Sequence, residues 1–169
     1  MGDEAEQICF RSRLPLVSAS LALAVGMLVY LTDRTASSSM LVPDIGAHAR
    51  LHAFGTLGQW LPSFVHAFAF SLLTAAALHP RAGPAYPVCV IWGALNVLFE
   101  IGQYPLVSAR LADTLRDCER WLPFARSLSN YFVRGTFDPG DVVAAILGAT
   151  AAAVVLLLSH HREEMRHAR

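Results

Sequence analysis

Four apolar stretches divide this chain: LPLVSASLALAVGMLVYL (14–31), LPSFVHAFAFSLLTAAAL (61–78), PVCVIWGALNVLFEIGQY (87–104) and VVAAILGATAAAVVLLL (142–158). A helix needs about 20 mostly apolar residues to cross the hydrocarbon of a bilayer, with ~17 as the lower limit. None of the four contains Lys or Arg, and Glu100 is the only full charge within them. The pattern predicts an all-α integral membrane protein, a four-helix bundle forming one domain over residues 1–169. Arg11 and Arg13 precede the first stretch, as in a signal peptide. Its apolar region is longer than the about 7–15 residues of a signal core, and no clear A-x-A site follows, so a retained anchor is expected.

The connections differ in length. Residues 79–86, HPRAGPAY, read as a tight turn that makes the second and third helices antiparallel neighbours. The segments 32–60 and 105–141 are long and fall on the same side of the membrane. In the latter, Val107, Leu111, Leu115, Cys118, Leu122 and Ala125 recur every three or four residues. Arg110, Arg116, Asp117, Glu119 and Arg120 fill much of the other face. This predicts an amphipathic helix, interrupted near Pro123, that lies along the interface or caps the bundle. Ser18, Ala22 and Gly26 in the first stretch, and Ala144, Gly148 and Ala152 in the fourth, are small residues spaced by four. That spacing lets membrane helices approach closely.

Composition supports the membrane reading and removes other classes. Of 169 residues 54% are hydrophobic and 15% charged, and the mean hydropathy is +0.44. All 13 basic residues are arginine, and they balance the 13 acidic ones. A nucleic-acid partner is not expected, since there is no basic excess. Cys9, Cys89 and Cys118 have no CxxC or zinc spacing, so neither a disulfide framework nor a structural metal is expected. Arginine counting barely orients the chain. The side of the termini holds six (Arg11, Arg13, Arg81, Arg162, Arg166, Arg169) and the other side seven. The pair before the first helix tips the reading toward cytoplasmic termini, with the long segments outside.

Polar groups inside the stretches are the candidate chemistry, because ionisable side chains at mid-membrane cost ~2.5–3.5 kcal/mol or more on insertion scales. Asn96, Glu100 and Gln103 share one face of the third helix, running toward its long-segment end. The alternative for Glu100 is a hydrated carboxylate at the interface. His66 lies 13 residues before the short turn and Glu100 lies 14 after it, which sets them at similar depth. His66 is either a packing residue or a proton-handling partner of that carboxylate. In FDPGDVVAAILG, Asp138 occupies an N-cap place, Pro139 the first helical position and Asp141 the first turn. Arg134, four residues before Asp138, is a candidate ion-pair partner. All these groups fall at one membrane face. His48 and His52, at i and i+4, read as a solvated loop pair rather than a metal pair.

The ordered elements resemble the VanZ-like family of bacterial integral membrane proteins. Members carry a His early in one helix, E-x-x-Q at the end of the next, and R-x-x-x-D-x-x-D leading into the last. Here these are His66 in SFVHAFAFSLLT, Glu100 and Gln103 in FEIGQY, and Arg134, Asp138 and Asp141 in RGTFDPGD. Gly148 matches the family's glycine seven positions after the last aspartate. The resemblance covers residues 61–158. Pro62 and Ser63 stand where the family often has Asp-Lys, Ala145 stands where it usually has Asn, and the segment from Gln103 to Arg134 is longer. The chain therefore resembles a divergent member.

The resemblance implies an architecture and a place in the bacterial cytoplasmic membrane, with a link to glycopeptide-antibiotic susceptibility, but no reaction. The leading expectation is a polar pocket at one membrane face acting on a lipid-linked or other envelope substrate. Its candidate catalytic groups are His66, Glu100 and Asp141, supported by Asn96, Gln103, Arg134 and Asp138, with no cofactor or metal. One alternative is proton or small-solute transport through a homo-oligomer, since four helices seldom enclose a path. Another is a non-catalytic scaffold locked by its polar groups.

Overall fold

The apolar stretches do form helices. The computed structural model describes residues 13–33, 54–78 and 86–167, and among these there are six helices and no strand. They are α1 (Arg13–Thr32), α2 (Leu57–Leu78), α3 (Tyr86–Gly102), α4 (Pro105–Asp117), α5 (Ala125–Arg134) and α6 (Pro139–His167). Three segments are long and apolar enough to cross a membrane: Leu14–Thr32, Leu57–Leu78 and Pro139–His161. The 17 residues of α3 sit at the lower limit of a span. They meet the same criterion only together with α4, which is bent from α3 by 95°. The His48/His52 pair and the 79–85 turn lie outside the described residues.

α2 packs against α1, α3 and α6, and α6 packs against α3 and, more lightly, α1. The residues between these helices are small: Ala19, Ala67, Ala69, Ala144, Ala145 and Ala152 are buried. The large apolar side chains point outward, among them Leu21, Met27 and Leu31 on α1, Val90 and Leu98 on α3, and Ile146, Leu147 and Leu158 on α6. A water-soluble domain puts its large apolar residues inside. Small residues between helices and large ones outside are the arrangement lipid favours, where close backbone approach supplies the packing. The small-residue spacing read from the sequence is this seam. A Cβ on Gly26 would meet Val65 Cγ1 at 3.0 Å, and one on Gly148 would collide with the backbone carbonyl of Phe64.

The boundaries move for local reasons. α2 starts a turn earlier than its apolar run, tied to the end of α1 by Asp33, whose Oδ2 accepts the Phe54 N–H at 3.0 Å. α3 stops at Gly102 rather than 104, because Pro105 opens α4 at an angle that a continuous helix cannot follow. α6 continues well past the apolar run, since SHHREEMRH holds no helix breaker. The amphipathic helix of the third connection is two helices. α4 ends at Asp117, residues 118–124 turn around Pro123, and α5 packs back along α4. Its buried line is also displaced from the large apolar positions: Ser108 and Ala112 are buried, whereas Leu122 is exposed. Small side chains let the two helices approach. On α5, Ala125, Ser129 and Phe132 face inward, and a Cβ on Gly102 would stand 2.5 Å from the Phe132 ring.

Candidate functional site

The end of α1, the start of α2, the end of α3 and the start of α6 meet at one face, and the α4–α5 pair lies beside them. Asp138 begins α6 as an N-cap. Its Oδ1 accepts the Gly140 N–H at 2.7 Å, satisfying one of the orphan donors of the first turn. Its Oδ2 accepts the Trp60 indole N–H at 3.1 Å, so the cap is also a tether to α2. Gly140 is needed here because a Cβ would overlap the Trp60 indole nitrogen. Among the described residues no ion pair joins Arg134 to Asp138. Arg134 is exposed, and the carboxylate is held by Gly140 and Trp60 instead. Asp138→Ala is expected to cost about 1 kcal/mol for the cap, plus the loss of the Trp60 tether. Thermal unfolding in detergent micelles, with the Trp60 fluorescence shift, measures both.

Asp141 faces α2. Its Oδ1 accepts the Ser63 hydroxyl proton at 2.6 Å, a contact between residues 78 positions apart. Ser63 and Trp60 thus present one edge of α2 to the two aspartates. Just after α3, Gln103 is 8% exposed and donates from Nε2 to the Tyr131 phenol oxygen of α5 at 3.0 Å. Gly135 lies against the Gln103 side chain, where a Cβ would not fit. Glu100, one turn deeper, has its Oε2 buried. Asn96 turns back on its own helix, donating to the Trp92 carbonyl at 2.8 Å, and so does not join this cluster.

Tyr131 of α5 is half-exposed but perturbed by its surroundings. Burial raises its phenol above the ordinary 10.0, the Glu100 charge raises it further, and Tyr30 and Asp141 act in the same direction. The Gln103 amide, donating to the phenol oxygen, partly opposes them. The residue therefore holds its proton above the ordinary range, with the Gln103 amide as the partner of its hydroxyl oxygen. Its proton is bound more tightly in the folded chain than in the unfolded one. The stability this contributes is present below pH 10.0 and is lost as pH rises through the folded value. A phenolate absorbance titration of the protein against its Tyr131→Phe variant is expected to show one tyrosine ionising above the ordinary range.

His66 lies on α2, one turn after Pro62 and Ser63. Its ring stacks on Phe70 at 5.8 Å, and Phe70 stacks on Trp92 of α3 at 5.0 Å. Trp92 also donates to Thr74 Oγ1 at 2.9 Å. These pairs set the antiparallel register of α2 and α3, which places His66 level with the turn between Asn96 and Glu100. The equal depth expected from sequence is therefore met.

The structure thus joins Asp138 to Trp60, Asp141 to Ser63 and Gln103 to Tyr131, while Glu100 and Asp141 both act on the Tyr131 phenol through their charge. His66 is level with them on the α2–α3 side, Asn96 is diverted and Arg134 is on the exposed rim. Trp60, Tyr131 and Tyr30 were not legible as members. Trp60 could have been suspected from its place at the mouth of a span, where indoles favour the interface. Among the described residues no three His, Cys, Asp or Glu side chains cluster as a metal set. The arrangement offers two carboxylates as proton acceptors, with a phenol and a serine hydroxyl as donors beside them. No protein-family model, curated protein or solved structure matches the chain.

Proposed function

We propose that this chain is a VanZ-like multi-pass protein of the bacterial cytoplasmic membrane, with α1, α2, α3 and α6 as a four-helix membrane domain. Its termini face the cytoplasm. The cluster of Glu100, Asp138 and Asp141 then opens on the outer face and handles a lipid-linked or other amphiphilic envelope substrate by proton transfer. One observation supports this reading: Ser63 of α2 bonds Asp141 of α6 at 2.6 Å, and the charges of Glu100 on α3 and of Asp141 both act on Tyr131 of α5. Polar groups cost free energy in lipid, so a scatter over several lipid-facing surfaces would have argued against a site. Carboxylates partly removed from water are suited to proton transfer near neutral pH. Glu100 and Asp141 have the acid–base roles, and His66 is the third candidate, level with them.

A second reading is favoured by the hydrogen bonds themselves. Ser63–Asp141, Trp60–Asp138 and Gln103–Tyr131 each join two helices, as a purely structural lock would. Glu100→Gln and Asp141→Asn, expressed in a bacterium lacking its own copy and assayed for glycopeptide-antibiotic susceptibility, separate the two. Loss of the phenotype at unchanged protein level supports proton handling. A wild-type phenotype in both variants leaves only the lock.

A further inference from the structure

The α4–α5 pair carries an apolar surface that neither helix covers. Trp121 is 81% exposed and Phe124 59% exposed, both in the turn farthest from the four long helices. Phe124 has helical backbone angles ahead of α5, so Phe124, Leu128 and Tyr131 form one stripe at i, i+4 and i+7. Arg126, Ser127 and Asn130 occupy the other exposed side of the helix.

The direction of that stripe is set at its inner end. The Tyr131 ring meets Phe99 edge to face at 5.7 Å, and Phe99 lies one turn before the end of α3. The stripe therefore points back along α3, toward the side where the long helices run, and not away from them. Seven residues farther out, roughly 10 Å at the helical rise, Phe124 points the same way with no long helix beneath it. The 95° bend after α3 keeps α4 across the axis of the spans rather than along it. Arg120 is exposed at the turn, and Arg116 and Arg126 beside it are bridged to Asp113 and Glu119 at 3.0 and 3.4 Å.

We propose that the α4–α5 pair is an outrigger resting on the bilayer, with Trp121 and the Phe124–Leu128–Tyr131 stripe seated at the boundary of headgroups and acyl chains. The partner is the lipid surface. An indole prefers that boundary, where its ring is in apolar surroundings and its N–H remains wet. The exposed Arg120 beside it reaches the phosphates of anionic lipids. Anchoring at the far turn holds Tyr131, at the near end of the same helix, against Phe99 and Gln103 at the end of α3. The proposal rests on the membrane reading given above, and its test separates the two.

The full chain, labelled with fluorotryptophan, is placed in nanodiscs of phosphatidylcholine and phosphatidylglycerol. Its three tryptophans, Trp60, Trp92 and Trp121, give three fluorine resonances, assigned by Trp121→Phe and Trp92→Phe. If Trp92→Phe fails to fold, Trp60→Phe assigns the remaining signal by elimination. One sample carries lipids with a nitroxide high on the acyl chain, and another a water-soluble gadolinium chelate. The expected result is loss of the Trp121 signal with the lipid nitroxide and its survival with the chelate. If the chelate erases Trp121 while Trp92 responds only to lipid, the outrigger is wrong and the spans stand. If the chelate erases both, the membrane reading itself falls. A Trp121 signal untouched by either agent means that protein covers the turn, which also overturns the proposal.

Discussion

Gly148→Leu unseats α6 from α2, and even Gly148→Ala destabilises. Helix propensity alone predicts the reverse, since alanine is favoured over glycine by about 1 kcal/mol in a helix interior. The deciding contact is with backbone. A Cβ on Gly148 would overlap the Phe64 carbonyl oxygen, which cannot rotate away as a side chain could. Overpacking a well-filled interface costs ~1–3 kcal/mol, and more when rigid groups are displaced. The expected losses are about 2 kcal/mol for alanine and beyond 3 kcal/mol for leucine. Denaturant unfolding in mixed micelles reads both. Gly93→Ala is the control, because its Cβ would meet only the Ala149 methyl, at 3.0 Å. A Gly148→Ala protein as stable as the parent would sink the claim of close α2–α6 approach. The effect extends to the site, because the same two helices bring Ser63 to Asp141 and Trp60 to Asp138.

Glu100→Gln is expected to abolish function while leaving the fold in place. Glutamine keeps the volume and the hydrogen-bonding oxygen but can neither carry charge nor accept a proton at neutral pH. Removing a positioned acid or base typically lowers a rate by ~10²–10⁴-fold. In a susceptibility assay this reads as loss of the phenotype. A second readout is independent of what the protein does. The Glu100 charge is one of the causes that raise the Tyr131 phenol. In Glu100→Gln that phenol should ionise at lower pH than in the parent, moving back toward 10.0. The two readouts fail separately. An unmoved Tyr131 titration would show that Glu100 is not beside Tyr131. A moved titration with full function would show that the carboxylate is close but does no proton work.

Much of this layout is visible before any folding is considered. Apolar runs of membrane length mark where the long helices lie. The Asp-Pro-Gly-Asp segment marks where α6 begins, because an N-cap carboxylate and a proline at the first helical position are local requirements. The equal depth of His66 and Glu100 also follows from counting, since a short turn and a fixed rise per residue leave little freedom. The partners were another matter. Asn96 looks equivalent to Gln103 on a helical wheel, yet its amide closes on the Trp92 carbonyl while that of Gln103 reaches Tyr131. Arg134 has helical spacing to Asp138, but Gly135 ends α5 in extended backbone, which breaks the i, i+4 relation.

What the sequence determined by itself is what local chemistry requires: long apolar helices, their approximate ends, the small-residue seam, and a set of acids at a common level. What only the tertiary structure decided is which side chains meet. An apolar helix carries little information about its own rotation when lipid accepts large side chains on any face. Rotation is settled where helices come closest, at Gly148 against the Phe64 backbone and at Gly26 against the Val65 side chain. Those contacts turn Asp141 toward Ser63. The bend after α3 sends α4 outward, and the 118–124 turn then returns α5, with Tyr131, to the end of α3.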